Sequence, residues 1–294
     1  LVSWLVIHNP SAGKPEDVGP RLRRTLDATG VEYTIVVTES ATHLSRVVAE
    51  GVAHGYQRFA AVGGDGTAHL VLNALDPESW EKPPVVAIIA AGSGSDFIRT
   101  FALPRTLVES AQLLAGDSLY RCDIGLIEGR FGRRYVLNAA NVGVVAASAA
   151  RAERLPRRLG GLRYTTAFWL ALAGFRPDEV AVDTGRRTIR STAMSVVVAN
   201  GQYFGGGLNV APQAALMDGV LDVEVFTGPR RHAFAIMPRV IRGLHLRHPA
   251  VTTSKGATVT VDVPEHWPVE ADGEILGTGS VSIRCVPQAV DFKI

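Results

Sequence analysis

The sequence predicts an α/β fold joined to a β fold: a doubly wound parallel-sheet domain, then an antiparallel, β-sandwich-like domain. Three observations carry this expectation. Short apolar runs alternate with amphipathic stretches over about the first 115 of 294 residues. After about residue 120, strand-like runs separated by turn residues take over. Three glycine-bearing segments, NPSAGK, GGDGT and GSGSDF, each follow an apolar run of the first half. Continuous apolar strands between helices suit a parallel sheet covered on both faces.

Taken in order, 5–7 reads as a strand, 17–28 as a helix, 33–37 as a strand and 43–54 as a helix. The pattern repeats with strands at 59–62 and 85–90 and helices at 68–75 and 107–115. Ligands of such sheets bind at the carboxyl ends of the strands. The second half reads as strands at 136–137, 181–182, 195–199, 221–226, 258–263 and 281–285, interrupted by one helix around 164–173. The expected division is 1–118, to which a segment of about 286–294 returns, and 119–285. A chain of this length suits two cores.

Composition bounds the function. A net charge of +2 is too small to argue for nucleic acid, and a pI near 8.7 permits weak attraction to anionic surfaces. Cys122 and Cys285 lie far apart and form no CxxC motif, which fits a reducing cytoplasm. The opening LVSWLVIHNP lacks the basic start and small-residue cleavage site of a signal peptide and reads as a strand. No apolar run reaches the roughly 20 residues needed to span a bilayer, so lipid would be met from the surface.

The glycine-bearing segments are neither a Walker A loop nor a Rossmann fingerprint, because GxxxxGK[ST] and GxGxxG are both absent from them. Backbone N–H groups at strand-to-helix turns nonetheless make anion sites, and glycine lets them approach a phosphate closely. Ordinary tight turns would also explain one such loop. Three at corresponding strand ends, two of them carrying Asp65 and Asp96, favour a nucleotide site in which the carboxylates organise Mg²⁺.

GGDGT at 63–67, NPxxG at 9–13 and GSGxDF at 92–97 together resemble the diacylglycerol kinase catalytic superfamily, which includes bacterial soluble lipid kinases and sphingosine kinases. Asn200-Gly201, Gly205-Gly206-Gly207, Pro212, DGVLD at 218–222 and Asp272-Gly273-Glu274 extend the resemblance over nearly the whole chain. It implies an ATP-dependent kinase acting on a lipid hydroxyl, most closely diacylglycerol or a related lipid. ATP would lie between an ATP-binding domain and a lipid-substrate domain. Asn9, Pro10, Ser11, Ala12, Gly13, Thr38, Gly63, Gly64, Asp65, Gly66, Thr67 and Ser93 would line the nucleotide, with Asp65 and Asp96 serving the catalytic metal. The carbonyls of Ala215 and Val220 with the Asp218 carboxylate would hold a separate Mg²⁺. Glu274 would accept the proton of the attacking hydroxyl, with Asp272 as the alternative base. Ser95 stands where that family usually has Asn. The implied setting is cytoplasmic, peripheral to the inner face of the membrane, with no nucleic-acid partner and a homodimer as one allowed assembly.

From the residues alone, Asp218-Gly219 and Asp272-Gly273 read equally well as hairpin turns, and Asp96 reads equally as a helix N-cap. His245 and His248 form HxxH beside Arg242, Arg247 and Pro249, which reads as a solvated loop without a zinc signature. Arg151, Arg154, Arg157, Arg158 and Arg163 form either a solvated face or a docking patch for anionic lipid. Two further functions stay open here: phosphorylation of a soluble nucleotide, as in NAD kinase, and nucleotide or lipid binding without turnover.

Overall fold

The computed structural model describes residues 3–10, 18–91, 96–159 and 162–294. They group into two compact units, 1–123 with 287–294, and 124–286.

The first unit opens with β1 (Trp4–His8), α1 (Val18–Thr29), β2 (Tyr33–Val37) and α2 (Ala41–Ala53). It continues with β3 (Arg58–Gly63), α3 (Asp65–Leu75), β4 (Val85–Ala90), α4 (Asp96–Thr100) and α5 (Leu107–Gln112). The sheet order is β2-β1-β3-β4, all parallel. Asp291 and Phe292 of the last strand pair in parallel with Val85 and Val86. The inner strands are buried almost throughout because helices cover both faces. Trp4, Val6, Ala60, Val62 and Ile89 form one core with Leu22 and Leu26 of α1 and Leu107 and Ala111 of α5. The alternate residues Leu5, Ile7, Phe59 and Ala61 are buried on the opposite face. There α2 comes so close to β1 that a Cβ at Gly51 would meet Leu5 Cδ2 at 2.4 Å. Local signals agree with the packing. Ser40 Oγ accepts the His43 N–H and caps α2, while Thr106 and Glu109 form a reciprocal cap at α5.

The second unit runs through β5 (Leu119–Gly129), β6 (Gly132–Val136), β7 (Ala139–Gly143), α6 (Val144–Arg154), α7 (Leu162–Gly174), β8 (Asp178–Asp183) and β9 (Thr188–Ala199). Then follow the short pair β10 (Tyr203–Phe204) and β11 (Leu208–Asn209), β12 (Leu221–Thr227), α8 (His232–Val240), β13 (Val251–Gly256) and β14 (Thr258–Asp262). β15 (Pro268–Ala271), β16 (Glu274–Thr278) and β17 (Val281–Lys293) complete the chain. All strand pairs described within this unit are antiparallel. The long strand β9 organises them: its first half pairs with β8, and its second half with β7 and β12. Trp267 is fully buried among the valines of β7, β9, β12 and β14. Gly143, at φ +96, ends β7, where a Cβ would lie 2.5 Å from the Met194 carbonyl oxygen.

Two expectations are corrected. Among the described residues three α-helices, not one, interrupt the strands, since α6 and α8 accompany α7. α6 lies in a stretch dominated by alanine and arginine, and α8 carries Pro238, a residue that ordinarily argues against a helix interior. His245 is not in a solvated loop. It is fully buried in a 3₁₀ turn, with Nε2 2.9 Å from Glu224 Oε2 and 2.8 Å from the Val210 carbonyl oxygen. The buried Glu224 supplies the polar partner that lets an imidazole enter the core.

Candidate active site

The loops of interest in the first unit share one end of its sheet. β1 and β3 are neighbours that leave in opposite directions along the sheet order, which makes the gap at their carboxyl ends the topological switch point. Asn9 follows β1, and the Gly64–Thr67 turn follows β3. Asn9 Nδ2 donates to Thr67 Oγ1 at 3.4 Å, which ties the two loops together. Thr38, buried at the end of β2, donates its N–H to the His8 carbonyl at 2.9 Å. Ser11, Ala12, Gly13, Ser93 and Ser95 lie outside the described residues.

Asp65 ties the start of α4 to these. Its Oδ2 accepts the Asp96 N–H at 2.6 Å and its Oδ1 accepts the Phe97 N–H at 3.1 Å. A carboxylate therefore caps α4 across a gap of about thirty residues in sequence. Asp96 is the first residue of α4, buried, with Oδ1 3.2 Å from Arg99 Nε. Gly64 precedes α3 as its N-cap and offers no side chain to it. With glycine at the cap, the N-terminal end of α3 suits an anion. Gly66 has open space around its missing Cβ. The donor set here is made of hard oxygens, two carboxylates and a hydroxyl, which fits Mg²⁺.

In the second unit, the DGE segment is a tight hairpin turn between β15 and β16. Asp272 and Gly273 both have positive φ, +49 and +92, as a two-residue hairpin of this kind requires. The Asp272 carboxylate accepts three backbone N–H groups: Leu137 at 2.6 Å, Asn138 at 2.8 Å and Ala139 at 3.2 Å. Glu270, only 5% exposed, accepts the Gly273 N–H through one oxygen and the Asn141 side-chain amide at 2.6 Å through the other. From the other side, Asn200 Nδ2 donates to the Leu137 carbonyl at 2.8 Å. Gly201 lies so near that a Cβ would meet Asn138 Oδ1 at 2.9 Å. The motif residues Asn200-Gly201 and Asp272-Gly273 thus clamp one short segment, 137–139. Glu274 differs from both neighbouring acids. Its side chain is 40% exposed and stands 3.8 Å from Arg134 Nε.

Comparison with known proteins decides the family. The YegS C-terminal, NAD kinase β-sandwich-like domain matches residues 138–293, and the diacylglycerol kinase catalytic domain matches residues 3–127. The chain belongs to the diacylglycerol kinase/YegS family of lipid kinases. It is 26% identical over 278 residues to the diacylglycerol kinase of Bacillus subtilis, covering 92% of this chain and 89% of that one. It is 25% identical over 277 residues to the "Probable lipid kinase YegS" of Escherichia coli, covering 90% and 87%. A crystal structure of a diacylglycerol kinase from Bacillus anthracis covers 99% of this chain and 96% of its own, with a TM-score of 0.75 at 20% identity. That likeness is one of fold.

At the expected metal site of Ala215, Asp218 and Val220, the Asp218 carboxylate has a lysine neighbour. Lys255 Nζ lies 3.2 Å from Asp218 Oδ2, 2.9 Å from Asp222 Oδ2 and 3.1 Å from the Gln213 carbonyl oxygen. Burial works against the Lys255 charge, yet the Asp222 and Asp218 carboxylates raise its pKa above the ordinary value. The other Asp218 oxygen accepts the Val220 N–H at 3.3 Å. An ammonium therefore neighbours the Asp218 carboxylate, one of the three expected ligands. Among the described residues, no three His, Cys, Asp or Glu side chains converge as a metal cage.

The sequence reading missed Glu270 and Asn141, which support the DGE turn, and Lys255. Glu270 had a usable signal: it is a carboxylate inside the apolar run PVEA. Lys255 faces Asp222 across the β12–β13 ladder, a pairing that only register reveals.

Proposed function

We propose that this chain transfers the γ-phosphoryl group of ATP to the hydroxyl of a lipid alcohol, diacylglycerol or a related lipid. The observation that carries the reading is Asp65, which links the turn after β3 to the start of α4 in the first unit. The sheet end offers backbone N–H groups for phosphates, and the Asn9–Thr67 contact fixes the first loop against the second. Phosphoryl transfer passes through a loose transition state, so positioning and charge stabilisation supply most of the catalysis. Mg²⁺, held by Asp65 with Asp96, would neutralise charge on the phosphates when bound. Asp65 has a second task in this account, because its cap on α4 keeps Asp96 in place.

The attacking hydroxyl loses its proton to Glu274. Two features support this assignment over Asp272. The Asp272 oxygens already accept three backbone N–H groups, whereas the Glu274 carboxylate is half-exposed on the hairpin that Asp272 and Glu270 hold still. A carboxylate within reach of the acceptor hydroxyl serves as a general base. At Asp218 we propose no metal, since Lys255 supplies the positive charge.

Calorimetric titration with Mg²⁺ATP tests the nucleotide half of the reading. Parent protein should bind, and Asp65→Asn should lose turnover and the Mg²⁺ dependence of binding. If Asp65→Asn binds and turns over like the parent, Asp65 is a helix cap only.

A further inference from the structure

The geometry points to a docking face for an anionic lipid bilayer on α7 and α8 of the second unit. It deepens the lipid-kinase reading and rests on it for its purpose, although its evidence is separate. Scattered single apolar residues are normal on a surface, whereas contiguous ones mark an interaction site. Here Leu162 is 68% exposed, Phe234 67%, Ile241 60%, Leu244 59% and Leu170 49%.

The two helices bring these side chains together. Leu162, Thr166 and Leu170 form one column of α7, at i, i+4 and i+8. Trp169 lies beside that column and stacks on Phe234 of α8, with ring centroids 4.6 Å apart and planes at 24°. Phe234 and Ile241 are seven residues apart, and Ile241 keeps helical dihedrals, so both project from the same side of α8. Arg230 Nη1 donates to the Ala173 carbonyl at 2.5 Å, which fastens the start of α8 to the end of α7. The apolar face is thus built on a braced helix pair.

Charge selects the occupant. The segments 144–174 and 228–250 contain ten arginines and one acidic residue, Glu153. They carry +9 in a chain whose net charge is +2, so the remainder of the chain is −7. Arg151 and Arg154 at the end of α6, with Arg231, Arg239 and Arg242 on and beside α8, are exposed. Such a face repels a second copy of itself. Nucleic acid would leave the exposed Phe234, Ile241 and Leu244 without apolar contact. An anionic bilayer satisfies both features: headgroups neutralise arginines while the apolar side chains enter the interface. No helix among the described residues is long and apolar enough to cross a membrane, so contact is from the surface.

Sedimentation of the full chain with vesicles, without nucleotide, tests this. One set is phosphatidylcholine alone, and the other is equal parts phosphatidylcholine and phosphatidylglycerol. The parent should pellet with the anionic vesicles, less so as salt rises. Arg231→Glu with Arg242→Glu should lower partitioning about 25-fold or more, at about fivefold per basic residue. Phe234→Ser with Ile241→Ser should lower it about tenfold or more. Arg186→Glu, on the β8–β9 turn, carries half that charge change and should bind like the parent. Circular dichroism confirms that each variant is folded. Parent protein that ignores anionic vesicles, or double variants that bind like the parent, would overturn the assignment. So would a concentration-dependent dimer that the Phe234/Ile241 variant abolishes, because the face would then belong to a second copy. Turnover of a short-chain, water-soluble diacylglycerol separates the two readings. It should survive in all these variants. Its absence in the parent, with vesicle binding intact, would remove the kinase reading and leave the docking face.

Discussion

Replacing Asp272 and Glu274 one at a time should separate a structural carboxylate from a catalytic one. Asp272→Ala removes the acceptor of three backbone N–H groups, at 2.6, 2.8 and 3.2 Å. Hydrogen bonds to a charged acceptor contribute about 1.5–3 kcal/mol each, and water will replace part of what is lost at this half-buried turn. A net cost of about 3–5 kcal/mol follows, or a fall in Tm of roughly 10 °C. Asp272→Asn keeps one carbonyl acceptor but turns an amide N–H₂ toward backbone donors, and should cost about 1–3 kcal/mol. Glu274→Gln weakens an exposed ion pair with Arg134 at 3.8 Å, a loss of about 0–1 kcal/mol. Its effect should appear in kcat, lowered by about 10²–10⁴-fold, with ATP affinity near normal. Thermal melts and hydrogen exchange at the 137–139 amides report the first effect, and steady-state kinetics the second. If Asp272→Asn melts like the parent but is inactive, while Glu274→Gln turns over normally, the base is Asp272 and the clamp reasoning fails.

Three other outcomes follow from the geometry. Gly66→Ala has open space and a helical first-turn position, so folding should be unaffected while nucleotide binding weakens by tenfold or more, on the order of 1.4 kcal/mol; equal ATP affinity in a calorimeter would place the phosphates elsewhere. Lys255→Met leaves Asp218 and Asp222 facing each other and should lower Tm, with chelator leaving the parent's Tm unchanged; a parent that loses stability in chelator would put a metal at this hairpin. Cys122 and Cys285 are buried, and burial, then Asp123 and Asp291, push the Cys122 thiol well above its usual range. A raised thiol pKa keeps the proton on at pH 8, so native protein should show no fast reaction with a disulfide reagent and two reactive thiols once denatured.

Much of the first unit was legible because its strands are buried on both faces. Ala60-Ala61-Val62 and 85–90 are continuous apolar runs that only a covered parallel strand explains, and the glycine loops mark their ends. α3 was expected from 68, but it begins at Asp65, with Gly64 as its N-cap. What Asp65 touches was not legible. Its partners are backbone N–H groups at the start of α4, and no local pattern announces a cap supplied from a distance. The second unit was read less completely because tertiary contacts set its details. Glu270, Asn141 and Lys255 acquire meaning from cross-strand register, and His245, in a 3₁₀ turn, is carried into the core by the buried Glu224 of β12. Ordinary periodicity records none of these pairings.

The central claim is phosphoryl transfer from ATP to a lipid hydroxyl. Its most direct test is incubation of the full chain with γ-labelled ATP, Mg²⁺ and a panel of lipid alcohols in mixed micelles. The panel holds diacylglycerol, a sphingoid base, phosphatidylglycerol and a polyprenol, with NAD as a soluble acceptor, and mass spectrometry identifies each product. The account predicts label on at least one lipid hydroxyl, strongest for diacylglycerol or a close relative, and its loss in Glu274→Gln. Label on NAD with none on any lipid, or ATP bound with no acceptor phosphorylated, would contradict it.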